Sequence, residues 1–413
     1  QVLEIEGPLD KVRLAESWSA LVKRHESLRT TFGWENEEPV QRIQSDIVLK
    51  LEQYSVLESG TEVNSLIQGF IRPFHLEEGP LFRVGLIELA AEKHLLLLDM
   101  HHIISDGISM TILVREFNAL YSGKELPELR VRYRDYGAWQ ENQEETRKNQ
   151  EKYWIQQFAG EEIPVLDLPT DYPRPVQRNF EGERISIEVG EELTQRLEQL
   201  AVETGTTLFM VLLAAYTVLL HKYTGQEDII VGTPIAGRGH TDVEHVVGMF
   251  VNTLALRNRP RAEQTFTALL KEVKENALKA YENQDYPFEK LVEQLDLRRD
   301  LGRNPLFDTM FVLQNIERTE MEMENGRISP YPFEHKVSKF DLTLEAVTNG
   351  NGLQIYLEYS SEIFALETVK AIIEGYLKIL DEITYNQNIY IKSILTELIS
   401  LETPEKIDIN FNF

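Results

Sequence analysis

Two adjacent histidines and an aspartate–glycine pair stand out as residues that could do chemistry. His101 and His102 follow the apolar run HLLLLDM, and Asp106 and Gly107 come shortly after. An imidazole exchanges protons near neutral pH, so either histidine could act as a general base. Purely structural roles are the alternative for each of these residues. A histidine beside a buried strand is often a hydrogen-bonded core residue, while Asp106 and Gly107 suit a helix N-cap and a turn.

The same cluster makes a poor metal site. Histidines that bind zinc from one helix face occur in an H-x-x-x-H pattern, whereas adjacent residues of an extended segment point to opposite faces. Only one of the two imidazoles can then face a groove, and any chemistry would belong to that one. The chain has no cysteine, which excludes disulfides, thiolate metal sites and thiol catalysis.

Strands and helices on either side place this cluster at the start of a helix. The segments LFRVGLIEL and HLLLLDM are apolar enough for central strands, and Gly79-Pro80 precedes the first of them. The cluster therefore lies on a strand-to-helix turn, where a rigid scaffold often presents functional side chains. The predicted helix ends at Ser122-Gly123, and its apolar stripe consists of Ile108, Ile112, Leu113, Phe117, Leu120 and Tyr121.

The whole chain predicts two α/β halves with a groove between them as the default site. The proline-containing stretch Leu166–Glu183 indicates an extended linker. Beyond it, TLFMVLLAAYTVLLHKYTG predicts a buried helix and FDLTLEAVTNGNGLQIYLEYS a hairpin. We predict domains at 1–165 and 166–391, with the linker 166–183 in the second. Residues 392–413 are predicted to begin a linker to a downstream domain.

Composition narrows the functional classes. The net charge of −26 argues against nucleic acid as a partner, because phosphate binding requires clustered Lys and Arg. No stretch reaches the roughly 18 apolar residues of a membrane span, and the N-terminus has no signal-peptide pattern. These features and the absence of cysteine favour a cytoplasmic location. Because the chain opens in a predicted strand, we expect residues to precede Gln1.

Six segments, in order, resemble motifs of the condensation domains of nonribosomal peptide synthetases. HHIISDG resembles the HHxxxDG motif of that family, whose first motif, on a preceding helix, has no counterpart here. The intact histidines and the VNT tripeptide distinguish the chain from heterocyclising, epimerising and recruitment-type relatives. RHESLRTTF with MHHIISDG favours an L-configured donor. The other segments are RHESLRTTF at 24–32, YRDYGAW at 133–139, VGMFVNTLALR at 247–257, NQDYPFE at 283–289 and GRNPLFDTMF at 302–311.

The resemblance implies two chloramphenicol-acetyltransferase-like lobes, a V-shaped pseudodimer with a tunnel between them. It also implies an acyltransferase that forms peptide bonds between thioesters held on the phosphopantetheine arms of carrier domains. No cofactor is bound permanently. The implied partners are the upstream donor and downstream acceptor peptidyl carrier domains and an adjacent adenylation domain, without nucleic acid or membrane, and the domain is expected to be monomeric. The alternative function is a carrier-docking or gating module without independent catalysis, and the intact motif favours the enzyme.

The resemblance implies that His102 is the catalyst, and two roles stay open for it. It could be a general base, which contributes roughly 10²–10⁴-fold, or it could position the acceptor amine. His101 is expected to be structural within the catalytic motif. Asp106 is expected to hold the loop through a salt bridge to an arginine, with Arg303 as the candidate partner. Gly107 presents its backbone at the helix start, where an N–H could hold His102 or the substrate carbonyl.

The remaining expectations concern substrate contacts and packing. Ser109 and Asn252 are candidate substrate-binding residues, and the alternative for Asn252 is that it satisfies strand backbone. Arg24–Glu26 is expected to lock the first helix into its lobe, and the Tyr133–Trp139 aromatics to lie in the core. A segment of the second half, near Val247–Thr253 or after Arg303, is expected to cross over to the first.

Overall fold

The computed structural model describes residues 1–45, 47–56, 62–160, 162–295, 297, 300–314, 326–333, 336–350 and 352–399. The strands in these ranges are β1 Val2–Glu6, β2 Thr30–Glu35, β3 Glu38–Ile43, β4 Leu51–Ser55, β5 Phe82–Ala90, β6 Lys93–Met100, β7 Gly182–Val189, β8 Ile229–Ile235, β9 Asn252–Asn258, β10 Thr309–Gln314, β11 Arg327–Pro330, β12 Leu342–Asn349 and β13 Gly352–Ser360. The helices are α1 Lys11–Arg24, α2 Val63–Phe70, α3 Gly107–Tyr121, α4 Tyr133–Glu141, α5 Glu144–Phe158, α6 Glu191–Thr204, α7 Leu208–Thr224, α8 Phe266–Glu282, α9 Phe288–Gln294, α10 Leu366–Tyr385 and α11 Ile391–Ile399.

The chain folds as two units, each with a sheet and a core of its own. The N-terminal unit comprises 1–144, 236–251 and 316–334, of which the last is described at 326–333. The described residues of 145–235, 252–315 and 335–413 form the C-terminal unit. The predicted boundary at 165/166 is therefore wrong and moves to 144/145. The physical reason is that Trp154 and Phe158 of α5 are buried in the core of the C-terminal unit.

The larger sheet of the N-terminal unit has the strand order β11-β1-β6-β5-β4, and β2 and β3 pair as a separate two-stranded sheet. Strand β6 is apolar without alternation because both faces of the larger sheet are covered. Leu96 and Leu98 pack into the cluster formed with α1 and α3, while Leu95 and Leu97 pack against Ile67 and Phe70 of α2. This burial on both faces fixes the end of β6, and the histidine pair follows that end directly.

The C-terminal unit has the strand order β7-β13-β12-β10-β8-β9. The predicted hairpin is confirmed, with Asn349 of β12 opposite Gly352 of β13. The predicted buried helix is also confirmed as α7, in which every residue from Met210 to His221 is buried. Among the described residues, no single helix is long and apolar enough to cross a membrane. Within the described part of the chain, only α6 and α7 taken together, bent by 103°, reach the length and apolar composition of a membrane span.

The end of the second half differs from the prediction. Residues 392–399, predicted to begin a linker, belong to the helix α11, which starts at Ile391. Ile391 and Ile394 are buried in the core of the C-terminal unit, and the Ile391 N–H donates to the Gln264 carbonyl over 3.0 Å. Two apolar residues three positions apart lie on one helix face, which is enough to anchor a short helix to a core. Residues 400–413 lie outside the described ranges.

Candidate active site

The histidine pair lies on the predicted strand-to-helix turn. β6 ends at Met100, residues His102–Ile104 form a single 3₁₀ turn, and α3 begins at Gly107. His101 caps the 3₁₀ turn, because its Nδ1 accepts a hydrogen bond from the Ile103 N–H at 3.1 Å. Its half-buried ring meets the ring of Phe74 edge-on, with 6.1 Å between centroids. His101 therefore shapes the turn that presents His102.

His102 is exposed, and one of its ring nitrogens has a fixed role. Its Nδ1 lies 2.7 Å from the carbonyl oxygen of Ser105. A carbonyl oxygen can only accept, so Nδ1 must carry the hydrogen and donate it. In the neutral imidazole, the lone pair then lies on Nε2. The turn thus presents a proton acceptor whose tautomer is set by the backbone three residues further on.

Asp106 is the N-cap of α3. Its Oδ1 accepts from the Ser109 N–H at 2.7 Å, and its Oδ2 accepts from the Phe250 N–H at 3.2 Å. The side chain is 1% exposed. The carboxylate therefore faces the interior of the unit, where it holds the helix start against the segment 236–251.

The salt-bridge partner of Asp106 is Arg238. The Arg238 Nη2 lies 3.1 Å and 3.2 Å from the two carboxylate oxygens, and this arginine is 5% exposed. Its Nη1 donates to the carbonyls of Val243 and Val246 at 2.6 Å and 2.7 Å, and its guanidinium lies 4.0 Å from the ring centre of Phe250. Burial lowers the pKa of Arg238, and the Asp106 carboxylate opposes this shift. The pair is a buried one, in which each charge depends on the other.

The prediction that Arg303 pairs with Asp106 is wrong. The Arg303 Nη1 donates to Asp308 at 2.6 Å and to the Leu166 carbonyl at 3.0 Å, all within the C-terminal unit. Of the two segments of the second half that belong to the N-terminal unit, 236–251 is the one that carries Arg238. The physical reason for the error is that the pairing depends on which segment returns to the first unit, and no local pattern in the sequence encodes that.

Ser109 is a structural residue. It is 0% exposed, and its Oγ donates to the Gly248 carbonyl at 2.9 Å. The same oxygen accepts from the Gly248 N–H and from the Arg238 Nη2, both at 3.1 Å. All of its hydrogen-bonding capacity is used to tie α3 to the segment 236–251. The predicted substrate-binding role is therefore wrong.

Asn252 lies in the C-terminal unit and is saturated by backbone groups. Its Nδ2 donates to the carbonyls of Gln284 and Tyr286, both at 2.7 Å. Its Oδ1 accepts from the N–H groups of Thr253 and Phe288 at 2.9 Å and 3.1 Å. A side-chain amide offers two donors and one oxygen with two lone pairs, so nothing is left for a substrate. Of the two expected roles, the structure supports the backbone one.

Gly107 is the first residue of α3, and the space beside it is open. It is exposed, and a Cβ added there would meet no heavy atom within 4 Å. The first N–H groups of a helix have no partner within the helix. Open space beside such donors, five residues after His102, leaves room for a polar group at the helix start.

Two other motifs hold α1 and α4 within the N-terminal unit. The His25 Nε2 lies 2.7 Å from a carboxylate oxygen of Glu116 in α3, and the Arg24 Nε donates to that carboxylate at 3.0 Å. This confirms the predicted locking role. In α4, the Tyr133 Oη donates to the Met249 carbonyl at 2.6 Å, but Trp139 is 49% exposed, so its predicted core position is wrong.

The chain is similar to known proteins over nearly its whole length. A family model described as Condensation domain matches residues 1–400. The chain is 49% identical to Gramicidin S synthase 2 of Aneurinibacillus migulanus over 414 aligned residues, which cover all of the chain. It is 52% identical to Tyrocidine synthase 3 of Brevibacillus parabrevis over 95% of the chain. It spans only 9% and 6% of the length of these relatives.

Solved structures show the fold. The X-domain from teicoplanin biosynthesis matches with a TM-score of 0.85 at 23% identity, over 94% of this chain and 91% of that one. The first condensation domain of the calcium-dependent antibiotic synthetase, in complex with a substrate analogue, matches with a TM-score of 0.73 at 22% identity, over 95% and 92%. The predicted α/β, chloramphenicol-acetyltransferase-like fold is confirmed. The chain belongs to the condensation domain family of nonribosomal peptide synthetases.

Proposed function

We propose that this domain forms an amide bond between two carrier-bound substrates. The donor is an aminoacyl or peptidyl thioester, the acceptor is an aminoacyl thioester with a free amine, and each is held on the phosphopantetheine arm of a peptidyl carrier domain. The family and the synthetases among its relatives support this proposal. In this role the domain is an acyltransferase, with an adenylation domain of the same synthetase as its neighbour. The arms are substrates rather than resident cofactors.

The reaction requires one proton to move. The amine lone pair attacks the thioester carbonyl carbon, so that a C–N bond forms, the C–S bond breaks and the thiolate leaves. The attacking nitrogen becomes positively charged and must lose a proton. That proton passes to Nε2 of His102, and the imidazolium then returns it to the departing sulfur.

The observation that carries this role is the 2.7 Å hydrogen bond from the His102 Nδ1 to the Ser105 carbonyl. It orients the ring and keeps the lone pair on Nε2, the arrangement that a general base needs. Such proton transfer contributes roughly 10²–10⁴-fold to the rate. Asp106 supports the turn from the interior and has no part in the proton transfer, because its oxygens are bound by Ser109, Phe250 and Arg238.

The proposal is tested by mixing loaded donor and acceptor carriers with and without the domain. Mass spectrometry of the acceptor carrier should show a dipeptidyl thioester only when the domain is present. An acceptor with an acetylated amine is the control, and it should give no product. A product that forms equally fast without the domain would contradict the proposal. An L-configured donor should react faster than its D counterpart.

A further inference from the structure

We infer that Arg83 is a positioning residue for His102 and acts through Phe74 and His101. The inference rests on the proposed function, because it concerns how the general base is held. All four residues belong to the N-terminal unit. Arg83 lies on β5 opposite Asp99 of β6, two residues before His101, and Phe74 lies in the connection between α2 and β5.

The Arg83 guanidinium is held in place from several sides. It donates to the carbonyls of Phe70, at 3.4 Å, and Arg72, and its Nη2 lies 3.3 Å from an Asp99 oxygen. The residue is 8% exposed. A guanidinium with these acceptors has one orientation available, so it can serve as a fixed surface for another group.

That surface supports Phe74. The Arg83 Cζ lies 3.7 Å from the centre of the Phe74 ring, within the range of a cation–π contact. The same ring also contacts His101, which it meets at an interplanar angle of 82° with 6.1 Å between the ring centroids. Edge-to-face pairs at this separation are attractive and directional. Phe74 therefore transmits the position of Arg83 to the orientation of the His101 imidazole.

The His101 orientation decides the geometry of the next turn. Only when its Nδ1 faces the Ile103 N–H can it cap the 3₁₀ turn His102–Ile104. That turn sets the distance between the His102 ring and the Ser105 carbonyl. A rotated His101 ring would release the Ile103 N–H and loosen the backbone that aims Nε2.

The Arg83–Asp99 pair itself is poorly built for stability. Within the described residues, Arg83 Nε and Asp99 Oδ2 are buried without a hydrogen bond, although Oδ2 is the oxygen that lies 3.3 Å from the Arg83 Nη2. Burial raises the pKa of Asp99 and lowers that of Arg83, and the opposite charge of the partner offsets each shift only in part. A bidentate pair would satisfy these atoms. The geometry favours instead the contact between the guanidinium and the Phe74 ring, which points to a role other than pairing.

The test uses Phe74→Leu and Arg83→Met, with Arg184→Met as the matched control. Arg184 also lies over an aromatic ring, Tyr356 at 3.8 Å, and pairs with a carboxylate, but in the C-terminal unit. Single-turnover rates and half-saturating carrier concentrations are measured for each variant. We expect Phe74→Leu and Arg83→Met to lower the rate by about ten- to a hundredfold, as misplacement of a catalytic group does. Half-saturating concentrations should stay unchanged, and Arg184→Met should react like the wild type.

Two readouts separate positioning from a loss of stability. In a His102→Ala background, Phe74→Leu should lower the rate no further, since the group it positions is absent. Imidazole ¹⁵N shifts should show a protonated Nε2 on His101 in the wild type and averaged tautomers in Phe74→Leu. A wild-type rate in Phe74→Leu, or a full additional loss in the double variant, would overturn the inference. A wild-type rate in His102→Ala would instead overturn the proposed base, whatever the shifts show.

Discussion

Replacement of Asp106 by alanine tests how the histidine turn is held. The change removes one carboxylate that caps α3, accepts from the Phe250 N–H and pairs with Arg238. Loss of an N-cap costs about 1 kcal/mol. Unpairing a buried charge costs about 3–5 kcal/mol. Arg238 keeps the carbonyls of Val243 and Val246 and the Ser109 hydroxyl as acceptors, so we expect the lower end of that range.

The expected loss in the free energy of unfolding of the N-terminal unit is therefore about 4 kcal/mol. Urea titration measures it, and hydrogen exchange at the Ser109 and Phe250 amides should locate it at the helix start. Asp106→Asn keeps the cap and should lose less. Arg238→Met, added to Asp106→Ala, should recover part of the stability, because it removes the unpaired charge. The cap alone contributes about 1 kcal/mol, so a loss of about 1 kcal/mol or less in Asp106→Ala would refute this reasoning. So would a double variant whose loss equals the sum of the losses of the two single variants.

Three further outcomes follow from the same unit. Ser109→Ala should lower the free energy of unfolding by about 1–3 kcal/mol and leave the transfer rate of the folded protein unchanged. A variant with wild-type stability and a slowed rate would instead indicate a substrate contact. Gly107→Ala should unfold like the wild type, because the added Cβ meets nothing, and should slow peptide transfer if substrate approaches the helix start. Burial, and next Lys11, lower the pKa of His94 below the ordinary 6.5. His94 in the unfolded chain therefore binds the proton more readily, so stability should be full above about pH 6.5 and fall as the pH drops below that value. Urea titration above and below this pH should show a smaller fall for His94→Leu than for the wild type.

The sequence predicted those elements whose patterns are strong and local. The four consecutive leucines of β6 and the stripe of α3 placed the histidines on a turn, and α7, apolar nearly all round, was identified as a buried helix. The hairpin β2–β3 was not predicted. Its turn residues, Asn36 and Glu37, both have positive φ, and no glycine marks the position.

The long-range pairings could not be read from the sequence. Asp106 and Arg238 are separated by 132 positions, and Ser109 and Gly248 by 139. Each pairing depends on the return of 236–251 to the N-terminal unit. The saturation of Asn252 by backbone groups likewise requires the turn before α9 to lie beside β9. The residues of the histidine motif are neighbours in the sequence, whereas the residues that hold them in place come from distant positions and meet them only in the folded unit.

The central claim is that Nε2 of His102 takes the amine proton, and the single-turnover rate of His102→Ala tests it most directly. His75→Ala, which removes another exposed histidine of the same unit, is the control. Rapid-quench measurement of the dipeptidyl thioester should show a loss of about 10²–10⁴-fold for His102→Ala, with none for His75→Ala and no change in the urea midpoint of either. A His102→Ala protein that transfers the donor at the wild-type rate would contradict the account.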